Sequence, residues 1–276
     1  MPRLSDAFAV AREEGRAALV GYLPAGFPSV SGAVDVLRAM VDGGVDIVEV
    51  GFPYSDPLMD GPVIQQAAEV ALRGGTTPAD VIRTVEAVAA SGTPAVVMTY
   101  WNPVLQYGPE RFARDLAAAG GCGVITPDLI PDEADEWIPP ARATDIDTIF
   151  LVAPSSTDAR LAVTVDACRG FVYAASVMGV TGARAAVGGA AADLVARTRT
   201  VTQQPIAVGL GVSSGDQAAD VAGFADGVIV GSAFVRRVLD APDVSVAAAA
   251  AAGLAEELAS GVRRAPSQRR QNDHVK

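Results

Sequence analysis

The chain has 276 residues, of which half are hydrophobic and 19% are charged, a composition typical of a globular protein with a sizeable core. Its 32 acidic and 21 basic side chains give a net charge of −11, which argues against a surface for nucleic acid or for an anionic membrane. The cysteines, Cys122 and Cys168, form no CxxC pair, and the single histidine, His274, lies in the C-terminal tail. We therefore expect no disulfide framework, no bound metal and no histidine-activated nucleophile. Any acid–base catalysis would therefore use Asp, Glu, Tyr or Lys side chains.

Targeting and membrane segments are not expected. Residues 1–10 contain no long apolar core of the kind that a signal peptide needs. The longest run of small and apolar residues, 246–255, is about half a membrane span and is mostly alanine. We expect a cytoplasmic protein.

Eight short apolar runs predict β-strands. Each run is apolar throughout rather than in alternation, as strands buried on both faces are. The predicted strands cover residues 18–22, 47–51, 95–100, 123–126, 148–152, 171–175, 205–208 and 227–230.

Helical patterns separate the predicted strands. The main helices are predicted at residues 31–41, 78–90, 109–119, 132–143, 158–167, 190–200, 214–222 and 244–260. Extra helices are predicted at 61–72, after the second strand, and at 233–239, after the eighth. Strict alternation of strands and helices predicts a parallel α/β sheet. The equal counts, the length and the lack of a mid-chain linker favour a closed (β/α)₈ TIM barrel over an open doubly wound sheet. We expect residues 1–264 to form one domain, followed by a polar, disordered tail at 265–276.

Glu49 interrupts the apolar second strand. If Val48 and Val50 face the helices, Glu49 points into the barrel, because side chains alternate along a strand. Burial of a carboxylate raises its pKa, and a raised pKa suits general acid–base catalysis. The alternative is a structural glutamate paired with a basic residue. It is disfavoured because no Lys or Arg lies in any predicted strand.

The loop after this strand, residues 51–62, carries two more carboxylates, Asp56 and Asp60. In a TIM barrel such a loop lies at the end of the barrel that holds the active site. Asp56 precedes a proline and Asp60 precedes a glycine, so either could be an ordinary turn residue. Glu49 and Asp60 together could form a catalytic pair of carboxylates.

Three glycine-rich stretches, 179–182, 209–214 and 231–232, follow the sixth, seventh and eighth strands. Loops at these positions, with the N-terminus of a short helix, form the usual phosphate site of a barrel. Plain tight turns are the alternative. The residues therefore predict a barrel that binds a phosphorylated small molecule and uses carboxylates rather than histidine or a metal.

One long segment, residues 49–65, reads EVGFPYSDPLMDGPVIQ and resembles the signature of the tryptophan synthase alpha chain family. The similarity extends over residues 18–239. It includes MTYWNP at 98–103, PDLIP at 127–131, LVAP at 151–154, SVMGVTG at 176–182, GLGVS at 209–213 and GSA at 231–233.

The resemblance implies a reaction, the retro-aldol cleavage of indole-3-glycerol phosphate to indole and glyceraldehyde 3-phosphate. Glu49 matches the family's catalytic glutamate, which moves protons at indole C3 and at the glycerol hydroxyl. Asp60 matches the catalytic aspartate at the indole N–H. Tyr173 matches a tyrosine near the reacting bond, and Thr181 matches a threonine that meets the aspartate when its loop closes.

The resemblance also assigns substrate-binding positions. The phosphate-binding positions are Gly182, Gly211, Gly231 and Ser232. The candidates for the indole slot are Tyr22, Ile64, Thr99, Leu129 and Leu210. Tyr22 and Leu210 stand where the family often has phenylalanine, which leaves the shape of the slot open.

The family works as an αββα heterotetramer with a beta chain that carries pyridoxal phosphate. Asp56, within the segment 53–59, matches the surface that faces this partner. We expect no cofactor in this chain, because its only lysine, Lys276, lies in the tail.

Three alternatives remain. A stand-alone indole-3-glycerol-phosphate lyase would share the scaffold but ignore a beta chain. A catalytically silent subunit that only activates a beta chain would not need Glu49 and Asp60. Another phosphate-binding barrel, such as a sugar-phosphate isomerase, is disfavoured by the long motif around Asp60 and by the lack of His or Lys in the barrel.

Overall fold

The computed structural model describes residues 3–176 and 184–264 of the chain. Parallel strands form a sheet that nearly closes into a barrel. The strands are β1 (Ala18–Pro24), β2 (Ile47–Gly51), β3 (Ala95–Met98), β4 (Gly123–Ile125), β5 (Asp147–Ile149), β6 (Leu151–Val152), β7 (Val172–Ala175), β8 (Ile206–Gly209) and β9 (Gly227–Val230). Their order is β5-β4-β3-β2-β1-β9-β8-β7-β6. The predicted TIM barrel is confirmed.

The fifth predicted strand is divided into β5 and β6 at Phe150. β5 pairs with β4, and β6 pairs with β7. The chain itself therefore links the two ends of the sheet through Phe150, so that nine short strands occupy the eight positions of the barrel.

Helices surround the barrel. They are α1 (Leu4–Glu13), α2 (Val30–Asp42), α3 (Pro62–Arg73), α4 (Pro78–Ala89), α5 (Trp101–Tyr107), α6 (Pro109–Ala118), α7 (Ile138–Ala143), α8 (Asp158–Ala167), α9 (Arg184–Arg199), α10 (Gly215–Ala222), α11 (Ser232–Leu239) and α12 (Val244–Arg264). The extra helices predicted after the second and eighth strands are α3 and α11. No helix in the described ranges has the length and apolarity that crossing a bilayer requires.

The predicted helix at 132–143 is wrong. The structure has a single 3₁₀ turn, Pro131–Glu133, and then the short α7. Pro139 and Pro140 fall in the first turn of α7, where a missing N–H costs nothing, but neither could continue a helix that began earlier.

The sequence analysis did not predict α1, which plugs one end of the barrel. Leu4, Phe8 and Ala11 on one face of α1 are buried among residues that fill the barrel interior, such as Val20 and Ile47. The ring of Phe8 lies 5.6 Å from that of Phe171, next to the start of β7. The helix closes the end where the strands begin, so the opposite end is left for a site.

Candidate active site

Glu49 lies inside the barrel, as the alternation of β2 predicts. Val48 and Val50 pack in the apolar layer between sheet and helices, whereas Ile47 belongs to the interior cluster. Glu49 is only 2% exposed. Its Oε2 has no hydrogen-bond partner, and it forms no salt bridge within the described part of the chain. The structural alternative, a glutamate held by a basic side chain, finds no support there.

Burial raises the pKa of Glu49 to about 8, and the nearby charge of Asp60 adds to this effect. A carboxyl with this pKa is mostly protonated at neutral pH. Glu49 can therefore donate a proton, and it can take one back once it has been ionised.

Asp60 lies in the loop between β2 and α3, next to the same interior. Burial raises the pKa of its carboxyl, and a hydrogen bond from the Tyr100 hydroxyl partly opposes this. The Gln65 side-chain amide donates to the Asp60 carbonyl oxygen at 2.7 Å. The two carboxyls therefore differ: Glu49 is buried and its Oε2 has no hydrogen-bond donor among the described residues, whereas Asp60 has a donor that favours its ionised form.

Tyr100 is a site residue that the sequence analysis missed. The third predicted strand ran through residue 100, but β3 ends at Met98, which places Tyr100 in the loop at the mouth of the barrel. Its hydroxyl accepts a hydrogen bond of 2.9 Å from the Met59 N–H, and its ring lies 5.4 Å from that of Tyr54. The available signal was its place in the MTYWNP segment, just after a strand.

Two more tyrosines face the carboxyls. Tyr22 lies opposite Glu49 in the register of β1 and β2, and Tyr173 lies on β7. Burial raises the pKa of both phenols well above the usual range. For Tyr22, the charge of Asp60 raises the pKa further, and that of Glu49 does so to a smaller extent. For Tyr173, the charge of Glu49 has the larger effect and that of Asp60 the smaller. Both hydroxyls are therefore neutral.

A pocket opens at this end of the barrel. It is lined by Tyr22, Phe52, Asp60, Met98, Thr99, Tyr100 and Pro127. Tyr22 and Thr99 were predicted for an apolar slot, whereas Phe52, Met98 and Pro127 were not. The pocket, about 10 Å³ in volume, places an acid group beside aromatic and apolar side chains.

The other predicted slot residues lie at different depths. Ile64 is half-buried on α3. Leu129 and Leu210 are buried in the apolar layer between sheet and helices. The structure therefore brings Tyr22 and Thr99 to the pocket of Asp60, while a role for Ile64, Leu129 and Leu210 in the slot stays a prediction.

The loops after β8 and β9 carry the residues predicted to bind phosphate. Helix α11 begins at Ser232, and its N-cap, Gly231, directly follows β9 and supplies no side-chain cap. The first N–H groups of this helix are therefore free to bind an anion. Gly211 is exposed with φ +70°, and no atom lies within 4 Å of the place where a Cβ would be. Thr181 and Gly182 lie outside the described residues.

Asp56 lies on the outer side of the same loop as Asp60. It is exposed and accepts a hydrogen bond of 2.6 Å from the Ser55 hydroxyl. Leu58 and Met59 beside it are 81% and 56% exposed. The loop therefore presents Asp60 inward and an apolar edge outward. The part of the chain that the structure describes contains no group of three or more His, Cys, Asp or Glu that could hold a metal ion.

Comparisons with known proteins place the chain in a family. The family model described as tryptophan synthase alpha chain matches residues 8–263. The tryptophan synthase alpha chain of Thermobifida fusca is 62% identical over 96% of this chain and 99% of its own length. That of Salinispora tropica is 61% identical over 95% and 98%.

Solved structures show the same similarity. A chain of Mycobacterium tuberculosis tryptophan synthase superposes with a TM-score of 0.88 at 56% identity, covering 95% of this chain and 98% of that chain. The tryptophan synthase subunit alpha of Legionella pneumophila gives a TM-score of 0.86 at 29% identity, with coverage of 95% and 98%.

Proposed function

The chain belongs to the tryptophan synthase alpha chain family, and we propose that Glu49 and Asp60 carry out its reaction. The chain is a carbon–carbon lyase of tryptophan biosynthesis, which splits indole-3-glycerol phosphate into indole and glyceraldehyde 3-phosphate. The observation that carries the residue assignment is the buried Glu49 carboxyl beside a second carboxyl: its Oε2 has no hydrogen-bond partner among the described residues, and its pKa is about 8.

The first step is protonation of the indole ring. Glu49 in its neutral form gives its proton to C3, and the positive charge spreads to the ring nitrogen. The Asp60 carboxylate accepts the hydrogen bond of the ring N–H and stabilises this charge. The hydrogen bond from Tyr100 helps to keep Asp60 ionised.

The second step breaks the carbon–carbon bond. Glu49, now a carboxylate, takes the proton of the hydroxyl on the carbon attached to C3. That hydroxyl becomes the aldehyde oxygen, and the electrons of the broken bond restore the aromatic ring. Glu49 ends protonated as it began, so the cycle needs no outside acid or base.

The anion site orients the substrate. Free N–H groups at Ser232 and the following residues, together with the exposed Gly211, are suited to the phosphate. Tyr22 lies between the two parts of the site, since the nearest atoms to a Cβ on Gly231 are Cβ, Cγ and Cδ1 of Tyr22. The substrate would span from this helix start to the two carboxyls.

The proposal includes a partner. We assign to this chain an αββα complex with a beta chain, and the pyridoxal phosphate of that assembly to the beta chain. Asp56 and the exposed Leu58 and Met59 support a docking surface on the loop that carries Asp60. Docking there would bear on the position of a catalytic group.

Two further expectations accompany the function. A phosphorylated, charged substrate favours a cytoplasmic location. The continuous sheet from β1 to β9 supports a single domain over residues 1–264.

The test is the release of indole from indole-3-glycerol phosphate by the purified chain, with and without a beta chain. Slow release that rises with the partner is expected, and Glu49→Gln should nearly abolish it while binding of glycerol 3-phosphate persists. Fast release that ignores the partner would indicate a stand-alone lyase. Wild-type-like turnover by Glu49→Gln would refute the role of Glu49.

A further inference from the structure

The Tyr22 hydroxyl has no role in the reaction steps proposed above. It lies on β1 directly opposite Glu49 of β2, on the interior face that Val20 and Ile47 also occupy. A Cβ on Gly51 would overlap this hydroxyl, and a Cβ on Gly231 would touch the Tyr22 ring. The phenol therefore lies across the mouth of the barrel, with its hydroxyl above Glu49 and its ring beside the start of α11.

The hydroxyl also lies near Asp60. Tyr22 and Asp60 line the same pocket, and among the charges around the Tyr22 hydroxyl that of Asp60 acts more strongly than that of Glu49. Yet the hydroxyl makes no hydrogen bond to a described residue and interacts with Asp60 through charge alone. Among the described residues, the Tyr22 hydroxyl is therefore a donor without an acceptor, in the same pocket as the Asp60 carboxylate.

The other flank of Asp60 is already occupied. The Tyr100 oxygen accepts the Met59 N–H, so its single proton is the one directed to Asp60. A carboxylate has two oxygens and about four acceptor positions. One oxygen can serve the ring N–H of the substrate and Tyr100 while the other receives a second donor.

We propose that Tyr22 is a positioning residue for the lyase reaction: with substrate in the pocket, its hydroxyl donates a hydrogen bond to the Asp60 carboxylate and holds it against the ring N–H. This inference rests on the proposed function of Asp60. Tyr22 on β1 and Tyr100 in the loop after β3 then fix one carboxylate from both sides. The arrangement makes Asp60 a better acceptor for the charge that develops on the ring nitrogen.

The test uses Tyr22→Phe, which removes only the hydroxyl. A hydrogen bond to a charged group contributes enough that its loss should lower kcat/KM by about tenfold at neutral pH. The groups that face Asp60 among the described residues are Glu49, Tyr22, Tyr100 and Tyr173. Because the Tyr22 donor acts only when substrate is bound, its removal should move the acid limb of the kcat profile, which reports the substrate complex, to higher pH.

A pair of uncleavable inhibitors separates positioning from packing. One is 3-(indol-3-yl)propyl phosphate, and the other carries a ring sulfur in place of the N–H. We expect Tyr22→Phe to weaken the indole compound by about tenfold and the sulfur compound by less than about twofold. Equal weakening of both would mean that Tyr22 only packs against the ring.

A matched control is Tyr107→Phe, which removes a hydroxyl that donates to Asp115 at 2.8 Å on the outer helices. It should change neither the acid limb nor the inhibitor ratio. If the wild-type chain releases no indole, the proposed function itself fails. If the wild type is active and Tyr22→Phe matches it in rate, pH profile and inhibitor ratio, only the role of Tyr22 is overturned.

Discussion

The Met59 N–H donates a hydrogen bond of 2.9 Å to the Tyr100 hydroxyl, which fastens the loop that carries Asp60 to the end of β3. Asn102 on α5 strengthens this attachment, because its side-chain amide donates to the Tyr54 hydroxyl at 3.1 Å. Asp128 accepts the Trp101 N–H at 2.9 Å and so fixes the start of α5. A catalytic loop thus gains a defined position from the neighbouring strand.

The first prediction concerns Tyr100→Phe. The change removes the acceptor of the Met59 N–H and the donor that lowers the pKa of Asp60. We expect the acid limb of kcat/KM to move to higher pH and the stability to fall by about 1 kcal/mol, as for one lost hydrogen bond. Rate profiles and urea unfolding measure the two effects. An unchanged acid limb would separate Tyr100 from Asp60.

The second prediction concerns the alkaline side of the pH profile. Glu49 must start the reaction protonated, and its pKa is about 8. We expect kcat/KM to fall above about pH 8, approaching tenfold for each further pH unit. Circular dichroism at the same pH values controls for unfolding. A constant rate up to pH 10 in the folded protein would exclude Glu49 as the proton donor.

The third prediction concerns the pH dependence of stability. The pKa of Glu49 is near 8 in the folded chain and near 4.5 in the unfolded chain, so between these values the folded state binds one more proton. Its contribution to stability is therefore present below about pH 4.5 and is lost as the pH rises towards 8, at up to about 1.4 kcal/mol per pH unit.

Glu49→Gln removes this loss, since an amide does not titrate. The variant should become increasingly more stable than the wild type between pH 5 and pH 8, while it loses activity. Urea unfolding of both proteins at three pH values across this range gives the difference. A constant difference would show that the Glu49 carboxyl is not shifted in the folded state.

The residues that the sequence placed correctly are those that obey a local rule. Continuous apolar runs identified the barrel strands because parallel strands are buried on both faces. The flanking Val48 and Val50 fixed the inward direction of Glu49, because side chains alternate along a strand. Neither inference needed information from distant parts of the chain.

The residues that the sequence analysis missed owe their positions to strand pairing and to packing between distant segments. An apolar run does not mark where pairing ends, and the last pair of β3 and β4 joins Met98 to Ile125, so Tyr100 was placed in the strand. Leu4 and Phe8 have helical spacing, but their burial in the barrel depends on strands far along the chain. The contact between Tyr22 and Gly51 depends on register in the same way.

The last prediction concerns the phosphate site. Gly211 has φ +70° and open space around its Cβ position, so Gly211→Val would place a side chain where the phosphate approaches the backbone. We expect binding of glycerol 3-phosphate, measured by calorimetry, to weaken by about tenfold, as for one lost charge-assisted hydrogen bond.

A control must separate this effect from the backbone strain of valine at positive φ. Gly92→Val is the matched control, because Gly92 has φ +85° and equally open surroundings but precedes β3 at the opposite end of the barrel. If both variants lose the same affinity, strain alone accounts for the loss and the phosphate lies elsewhere. If only Gly211→Val loses affinity, the loop after β8 binds the phosphate.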